Sequence, residues 1–486
     1  MGTASMRSAF GLGFGMAMGL VWQNVSAALP NNVELKPMYN QSKMSVVGEK
    51  KIWMEEVPGL LGHFWILDMR GYLYTMYPGG TDFVKKTVIN FASKVQYHLN
   101  SEYGAFKVVF HPQFIENGKF YIIYMGKPAD GTLPADINSW TPSGGICRLE
   151  EWTASGAKKD TMVMVREILK YDHPKSYGVS SMVFGKDNFL YVSMGDYHAD
   201  ARDLRTWGRK ILRIDIDHKD AGKEYAIPAD NPYMSSTDVT VKKEIWAGGF
   251  RNAWTMSMDY PTGEIWMGDV GQKEIEEINI LKKGRQYGWK EGGDGEATAM
   301  GTGFNGYCRN SKEKANCDNY EDPVYAFDWF TWGGEGIKCI NGGRVFRGDP
   351  TSPFYGYTIA NDVSTDRILA VKRGEEPQII GSVEAISHKL DHAGIVHTAT
   401  DAYGNLYGVF IGHADYHIYK FTHPEMKANA LPVVSVNGKS GHRSNLVVNL
   451  GNLAALQGRQ AFGLDGRKIA SGNGAKLPSV GLFVTK

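Results

Sequence analysis

Proton transfer in this chain falls first to two of its histidines, His173 in Asp172-His173-Pro174-Lys175 and His198 in Gly195-Asp196-Tyr-His198-Ala-Asp200. Imidazole is the side chain that takes and gives a proton near neutrality, although a single histidine is more often structural. Tyr177 lies between them, and a phenol with an ordinary pKa of about 10 is a poor base at neutral pH. Anion binding falls to arginine, which stays charged and presents a planar fork of donors. The plain alternative for such an arginine, Arg251 included, is a salt bridge closing a loop. Arg347 and Arg367 read equally as binding residues or as solvated surface charges. Trp329 and Trp332 suit either stacking on sugar rings or filling a core. The four cysteines, Cys147, Cys308, Cys317 and Cys339, permit three disulfide pairings. Cys308 and Cys317 bracket a polar loop and make the favoured pair, which leaves Cys147 with Cys339. Zinc has neither a CxxC spacing nor a nearby histidine to bind it.

These residues need a scaffold, and the chain repeats one. Asp68-Met-Arg-Gly71-Tyr-Leu-Tyr74 and Asp401-Ala-Tyr-Gly404-Asn-Leu-Tyr407 are near copies. Glu116 to Tyr121, Asp187 to Tyr191 and Asp259 to Trp266 are looser ones. Each is a polar turn, usually with a glycine, then a short alternating strand ending in an aromatic, as a hairpin requires. A hairpin unit recurring from Lys43 to His423 predicts an all-β fold, a propeller of four-stranded antiparallel blades. With 12% aromatic residues and 58 glycines, the composition agrees. A net charge of +1 gives no footprint for nucleic acid or an anionic membrane.

The ends read separately. Arg7, the apolar stretch Ala9 to Trp22 and the small residues Val25-Ser26-Ala27 predict an export signal over residues 1–27. That stretch falls short of the roughly 20 residues of a membrane span, and no later segment qualifies. The mature protein is therefore expected to be secreted, periplasmic or at the cell surface. Pro424 to Ser444 reads as a linker, and Asn445 to Lys486 as a small C-terminal β-module. That module, with Asp465-Gly466-Arg467 and the closing Gly481-Leu-Phe-Val-Thr-Lys486, resembles the sorting domain of type IX bacterial secretion. The resemblance implies a bacterial source and surface-export machinery as a partner. An ordinary small β-module is the alternative.

The most specific stretch runs from Lys210 to Trp289. It holds Gly208-Arg-Lys-Ile-Leu-Arg-Ile-Asp215, Tyr225-Ala-Ile-Pro-Ala-Asp-Asn-Pro232 and Glu244-Ile-Trp-Ala-Gly-Gly-Phe-Arg251-Asn252. Gly268-Asp-Val-Gly271-Gln272, Glu276-Glu-Ile-Asn279 and Gly284-Arg-Gln-Tyr-Gly288-Trp289 follow in order. In that sequence the segments resemble the glucose/sorbosone dehydrogenase family and the related Hedgehog-interacting-protein-like ectodomains. The resemblance implies a six-bladed propeller that binds pyrroloquinoline quinone (PQQ) and calcium at the mouth of its channel. It implies oxidation of the anomeric hydroxyl of an aldose or oligosaccharide to a lactone, with electrons passed on to an external acceptor. A histidine would take the hydroxyl proton, and a nearby positive field would stabilise the reduced quinone. On this resemblance Arg251 and Asn252 face the quinone, Gly271 and Gln272 offer backbone carbonyls to calcium, Glu102 lies in the channel, and Arg347 and Arg367 lie near the cofactor's carboxylates.

The chain departs from the pattern where it matters. The family's base stands in N-H-x-G-G-x-L-x-F-G; counting back from Met182-Val-Phe-Gly185 puts Tyr177 at the histidine. The glycine pair becomes Val179-Ser180, Gly-Leu-Leu-Gly becomes Gly104-Ala-Phe-Lys107, and the GDGG turn becomes Gly195 to Asp200. His173 replaces the missing base only if the intervening loop is re-routed. Two readings follow: a sugar dehydrogenase, or a catalytically impaired propeller that binds glycan or protein at the channel mouth. A propeller lactonase would need a carboxylate-rich metal cluster, which the sequence does not supply.

Overall fold

The computed structural model describes residues 28–39, 50–79, 82–98, 103–128, 143–175, 181–196, 199–272, 275–289, 320–330, 332–334, 336–384, 394–411, 417–429 and five short strands beyond. The predicted export signal, Glu102, Tyr177, His198, Cys308 and Cys317 lie outside them. Among the described residues no helix is long and apolar enough to cross a membrane.

Six four-stranded antiparallel sheets form the body. The first blade holds β2 (Lys51–Glu56), β3 (Phe64–Asp68), β4 (Tyr72–Gly79) and β5 (Asp82–Asn90). The second holds β6 (Ala105–Phe110), β7 (Lys119–Gly126), β8 (Ser143–Ser155) and β9 (Thr161–Lys175). In the third are β10 (Met182–Phe184), β11 (Leu190–Met194), β12 (Lys210–Ile214) and β13 (Ile245–Gly248), and in the fourth β14 (Ala253–Asp259), β15 (Glu264–Asp269), β16 (Ile275–Ile280) and β17 (Tyr325–Asp328). The fifth is β18 (Ile340–Val345), β19 (Thr358–Asp362), β20 (Arg367–Val371) and β21 (Gln378–Ser382). β22 (Gly394–Thr400), β23 (Leu406–Ile411) and β24 (His417–Thr422) begin the sixth, and β1 (Glu34–Pro37) completes it by pairing Glu34 with Thr422 and Leu35 with Phe421. Strand β1 precedes Lys43, where the repeat pattern begins.

The repeated turns have a physical cause. Asp401 accepts the backbone N–H groups of Tyr403 and Asn405 and the Tyr407 hydroxyl, the last at 2.8 Å. Gly404 supplies the left-handed residue, φ +78°, that closes the turn. Asp187 and Tyr191 repeat the carboxylate–hydroxyl bond at 2.8 Å. The terminal aromatic of the motif thus locks its own turn.

First strands touch in a closed ring, β2–β6–β10–β14–β18–β22–β2, around the channel. Blades meet closely: a Cβ on Gly268 would lie 2.5 Å from the backbone nitrogen of Gly342. The first strands of five blades carry a bulge, at Lys51/Trp53, Ala105/Lys107, Ala253/Thr255, Asn341/Arg344 and Ile395/His397. A bulge re-aims the side chain that follows it, which bears on the channel below.

Within the segment read as a linker, β25 (Val433–Asn437) pairs with β26 (Arg443–Val447). Beyond it β27 (Gln460–Phe462), β28 (Lys468–Ser471) and β29 (Val484–Thr485) form a small sheet. The expected Cys147–Cys339 pair is corrected: the two cysteines are not joined in a disulfide. One sits in the second blade and the other at the start of the fifth, on opposite sides of a six-membered ring. Burial pushes the Cys147 thiol far up, so it is inert.

Candidate functional site at the channel mouth

Because the first strands run in one sense around the ring, their starts open on one mouth and their ends on the other. Arg251 and Asn252 immediately precede β14 and so sit at the first of these. Their backbone N–H groups donate to the two oxygens of buried Asp269, at 3.1 and 2.7 Å. The Arg251 guanidinium donates to the carbonyl of Val270 at 3.0 Å and lies 5.7 Å from the Trp289 ring centre. Arg209 lies 5.6 Å from the same ring and donates to the carbonyl of Asp196 at 2.7 Å. Two guanidinium groups thus share one indole, whose buried N–H has no hydrogen-bond partner among the described residues.

Gly271 and Gln272 follow β15 at this same mouth. Gly271 admits no side chain, since a Cβ there would meet the carbonyl oxygen of Ile275 at 1.7 Å. Arg367 begins β20 here too, and donates to the carbonyls of Gly336 and Gly333 at 3.0 Å each. It holds the loop after β17 rather than facing a cavity. Trp329 in that loop donates its indole N–H to Glu276 at 2.7 Å. Glu276 also accepts the backbone N–H of Ile340 at 3.0 Å, and burial pushes its carboxyl up to about 8. The Trp332 side chain is outside the described residues.

Arg347 is not part of this group. It follows β18 and forks onto Asp259 with bonds of 2.8 and 2.6 Å, its guanidinium over Tyr355. Asp259 ends β14, so Arg347 lies about 20 Å from Arg251, one seven-residue strand away at the opposite mouth. The strand order, which linear sequence does not display, decides this. His173 is on β9, paired in register with Gly145; its side chain is outside the described residues.

The donor set can be tested against the implied cofactors. A planar quinone bearing carboxylates would need fixed cations, and Arg209 and Arg251, both near the buried Trp289 ring, are cations of that kind. For calcium, no group of three or more His, Cys, Asp or Glu side chains among the described residues is arranged to hold a metal ion. The family resemblance puts forward the backbone carbonyls of Gly271 and Gln272, oxygen donors of a kind that a hard cation accepts.

Comparison with known proteins places this geometry. The profile described as Glucose / Sorbosone dehydrogenase matches residues 62–389. The chain belongs to the glucose/sorbosone dehydrogenase family. Among curated relatives, HIPL1 protein of Arabidopsis thaliana is 31% identical over 234 residues, covering 40% of this chain and 33% of that one. Aldose sugar dehydrogenase YliI of Escherichia coli is 26% identical over 188 residues, 38% of this chain and 46% of that one. Hedgehog-interacting protein of Mus musculus is 29% identical over 244 residues, 46% and 33% of the respective chains. The matched region is thus less than half the length of each of these relatives. Solved structures agree on the fold: soluble aldose sugar dehydrogenase from Escherichia coli in the apo-form has a TM-score of 0.58 at 17% identity, covering 80% of this chain and 99% of that one. The PQQ-bound aldose sugar dehydrogenase from Streptomyces coelicolor has a TM-score of 0.54 at 15% identity, covering 81% and 99%.

Within this family member, sequence reasoning missed a set of buried partners. Asp269 faces Glu277 across β15 and β16. Burial raises Asp269 to about 6, against the pull of two backbone N–H groups and of Arg251. Burial, then Asp269, drive Glu277 well above the carboxylate range. One Glu277 oxygen accepts from Asn279 at 3.3 Å, while the other has no partner among the described residues. Their signal was present in the quoted motifs Gly268-Asp-Val-Gly and Glu276-Glu-Ile-Asn, read there only as family markers.

This carboxyl makes stability depend on pH. Folded Glu277 keeps a proton that the unfolded chain releases near the ordinary carboxylate pKa, so its contribution falls as pH rises above that value. Glutamine does not titrate. Glu277→Gln is therefore expected to gain on the parent by a few degrees in Tm between pH 5.5 and 8.5. Thermal unfolding at both pH values checks this; an offset independent of pH would contradict it.

Proposed function

We propose that this propeller is a PQQ-dependent aldose dehydrogenase, with the quinone at the mouth where Arg209 and Arg251 flank Trp289. That pairing is the observation that carries the reading, together with family membership. When bound, the quinone accepts the two electrons lost as an anomeric hydroxyl becomes a lactone. Arg251 would set a fixed positive charge beside the quinone oxygens, where negative charge develops. Asp269, held by two backbone N–H groups, fixes the chain that carries this arginine. Gly271 and Gln272 would present carbonyls to calcium. His173 is the base of choice for the hydroxyl proton, with Tyr177 at the family's own base position. An exported location, with an external electron acceptor and a C-terminal segment read by surface-export machinery, fits Val25-Ser26-Ala27 and the closing strand motif.

One observation favours a second reading. Tyr177 replaces the base, which leaves a propeller able to retain ligand at its mouth without turnover, binding a glycan or a protein. A relative named Hedgehog-interacting protein agrees with that reading.

Reconstitution decides between them. Mature protein is loaded with PQQ and calcium, then given an aldose panel and a dye acceptor. The dehydrogenase predicts stoichiometric PQQ and sugar-dependent dye reduction. Binding without reduction supports the second reading, and no binding refutes the quinone site.

A further inference from the structure

Four ionisable side chains meet inside the channel, and the chemistry proposed above uses none of them. Glu55 is on β2, Lys107 on β6, Arg344 on β18 and His397 on β22, so four different blades contribute. Three of them directly follow the bulges described above. His397 accepts from Lys107 Nζ through Nδ1 at 3.4 Å, and its Nε2–H donates to the carbonyl of Met54 at 3.1 Å. That pattern requires the neutral imidazole, which agrees with a pKa lowered to about 3 by burial and then by Lys107. Arg344 pairs with the Glu55 carboxylate.

The donors exceed the acceptors. Glu55 offsets Arg344, His397 is neutral, and protonated Lys107 leaves one positive charge. Lys107 is only 6% exposed, and among the described residues its hydrogen bonding is the single long contact to His397, although an ammonium has three donors. The Arg344 Nε–H is buried with no partner among the described residues. Where the family resemblance expects a glycine, this chain has that lysine. A buried charge left this short of partners is costly.

Glu55, Lys107 and Arg344 line the floor of a cavity of about 1200 Å³, counting the solvent at its mouth. It opens among the ends of the first strands, on the side away from Arg251. Its walls are Trp53, Phe110, Met182, Met256, Met258 and Tyr260. Aromatic and thioether side chains of this kind adapt to apolar ligands. The other charged groups on the lining are Glu56, whose carboxylate is capped by the N–H groups of Gly62 and Ala402, and His111, which is engaged with Asp217.

We propose that the channel mouth opposite Arg251 is a second ligand site, which takes a small monocarboxylate with an apolar body. The carboxylate meets Lys107 and the Arg344 Nε–H on the floor, and the body lies along the methionines. One unit of surplus positive charge matches one carboxylate.

The affinity must then depend on pH in a fixed direction. Burial, and secondarily Arg344, lower Lys107 to about 7 despite Glu55, so the free site loses its charge as pH rises through that value. Glu56, raised to about 7 by burial, gains a negative charge over the same range, in the same sense for an anion. The elements β10 and β14 contribute no charged group to the cavity lining.

The probe is sodium octanoate, followed by calorimetry on the full chain, with octanamide as its uncharged isostere. Octanoate is expected to bind at pH 6.5, to weaken at least about tenfold by pH 8.5, and to outcompete octanamide at the lower pH. Lys107→Met, which preserves volume, is expected to weaken octanoate at least about tenfold and to flatten the pH dependence. No octanoate binding at pH 6.5, or equal binding of octanamide, overturns the proposal. Both readings need only the parent protein, so a variant that fails to fold does not shield it. The site is independent of quinone loading, and its failure leaves the dehydrogenase reading untouched.

Discussion

Arg251→Met is expected to weaken PQQ binding by about 10²-fold or more, since truncating one partner of a buried charge contact costs about 2 to 5 kcal/mol. The arginine serves two anions in this reading. It faces the quinone, and it is one of the charges that hold Asp269 near 6 instead of higher. Loss of the guanidinium therefore also leaves Asp269 more protonated, which removes a negative charge and offsets part of the lost field at the mouth. Fluorescence titration with PQQ measures the effect, and circular dichroism shows whether the ring survives. Arg209→Met, near the same Trp289 ring, is expected to weaken binding by less, because the family resemblance sets Arg251 and not Arg209 against the quinone. Unchanged affinity in both variants would remove the quinone from this mouth.

The second large effect is a gain. Tyr177→His is expected to raise aldose oxidation by roughly 10²- to 10⁴-fold, the range that a positioned general base contributes. A phenol holds its proton at neutral pH, whereas an imidazole releases and accepts one there. The rate should rise with pH toward a plateau, as the base loses its own proton. A double variant with His173→Ala separates the two positions. If the gain in Tyr177→His survives loss of His173, the base acts at 177; if the parent's residual rate falls in His173→Ala alone, the native base is His173. No gain in any variant would favour the binding propeller.

Sequence carried the architecture unusually far because the signal is local. An aspartate that accepts its own turn's N–H groups, a left-handed glycine and a terminal tyrosine bonding back to that aspartate all lie within seven residues, as in Asp401 to Tyr407. The closing strand was invisible for the opposite reason. Glu-Leu-Lys-Pro shows no apolar run, and three of its four residues are exposed. Its partner is β24, at the far end of the propeller. Arg251 was legible because it stands inside a long motif. Arg347 was misplaced because a residue's distance along the chain does not reveal which end of a strand it occupies. Glu277 and Lys107 were missed as functional groups, since charged residues in strands read as solvated until the neighbouring blade is known to cover them.

The sixth blade has a consequence for how the protein is made. Thr422 bonds back to Glu34, 388 residues earlier. At about 5 to 20 residues per second, synthesis needs roughly 20 to 80 s to deliver the partner of the first strand. During that interval β1 has no partner, and the early segment is an unpaired edge open to any passing chain. Recovery of intact protein is then governed by how long the ring stands open, rather than by how stable it is once closed. Handling that shortens this interval, or occupies the edge while it lasts, raises yield without changing a single native contact.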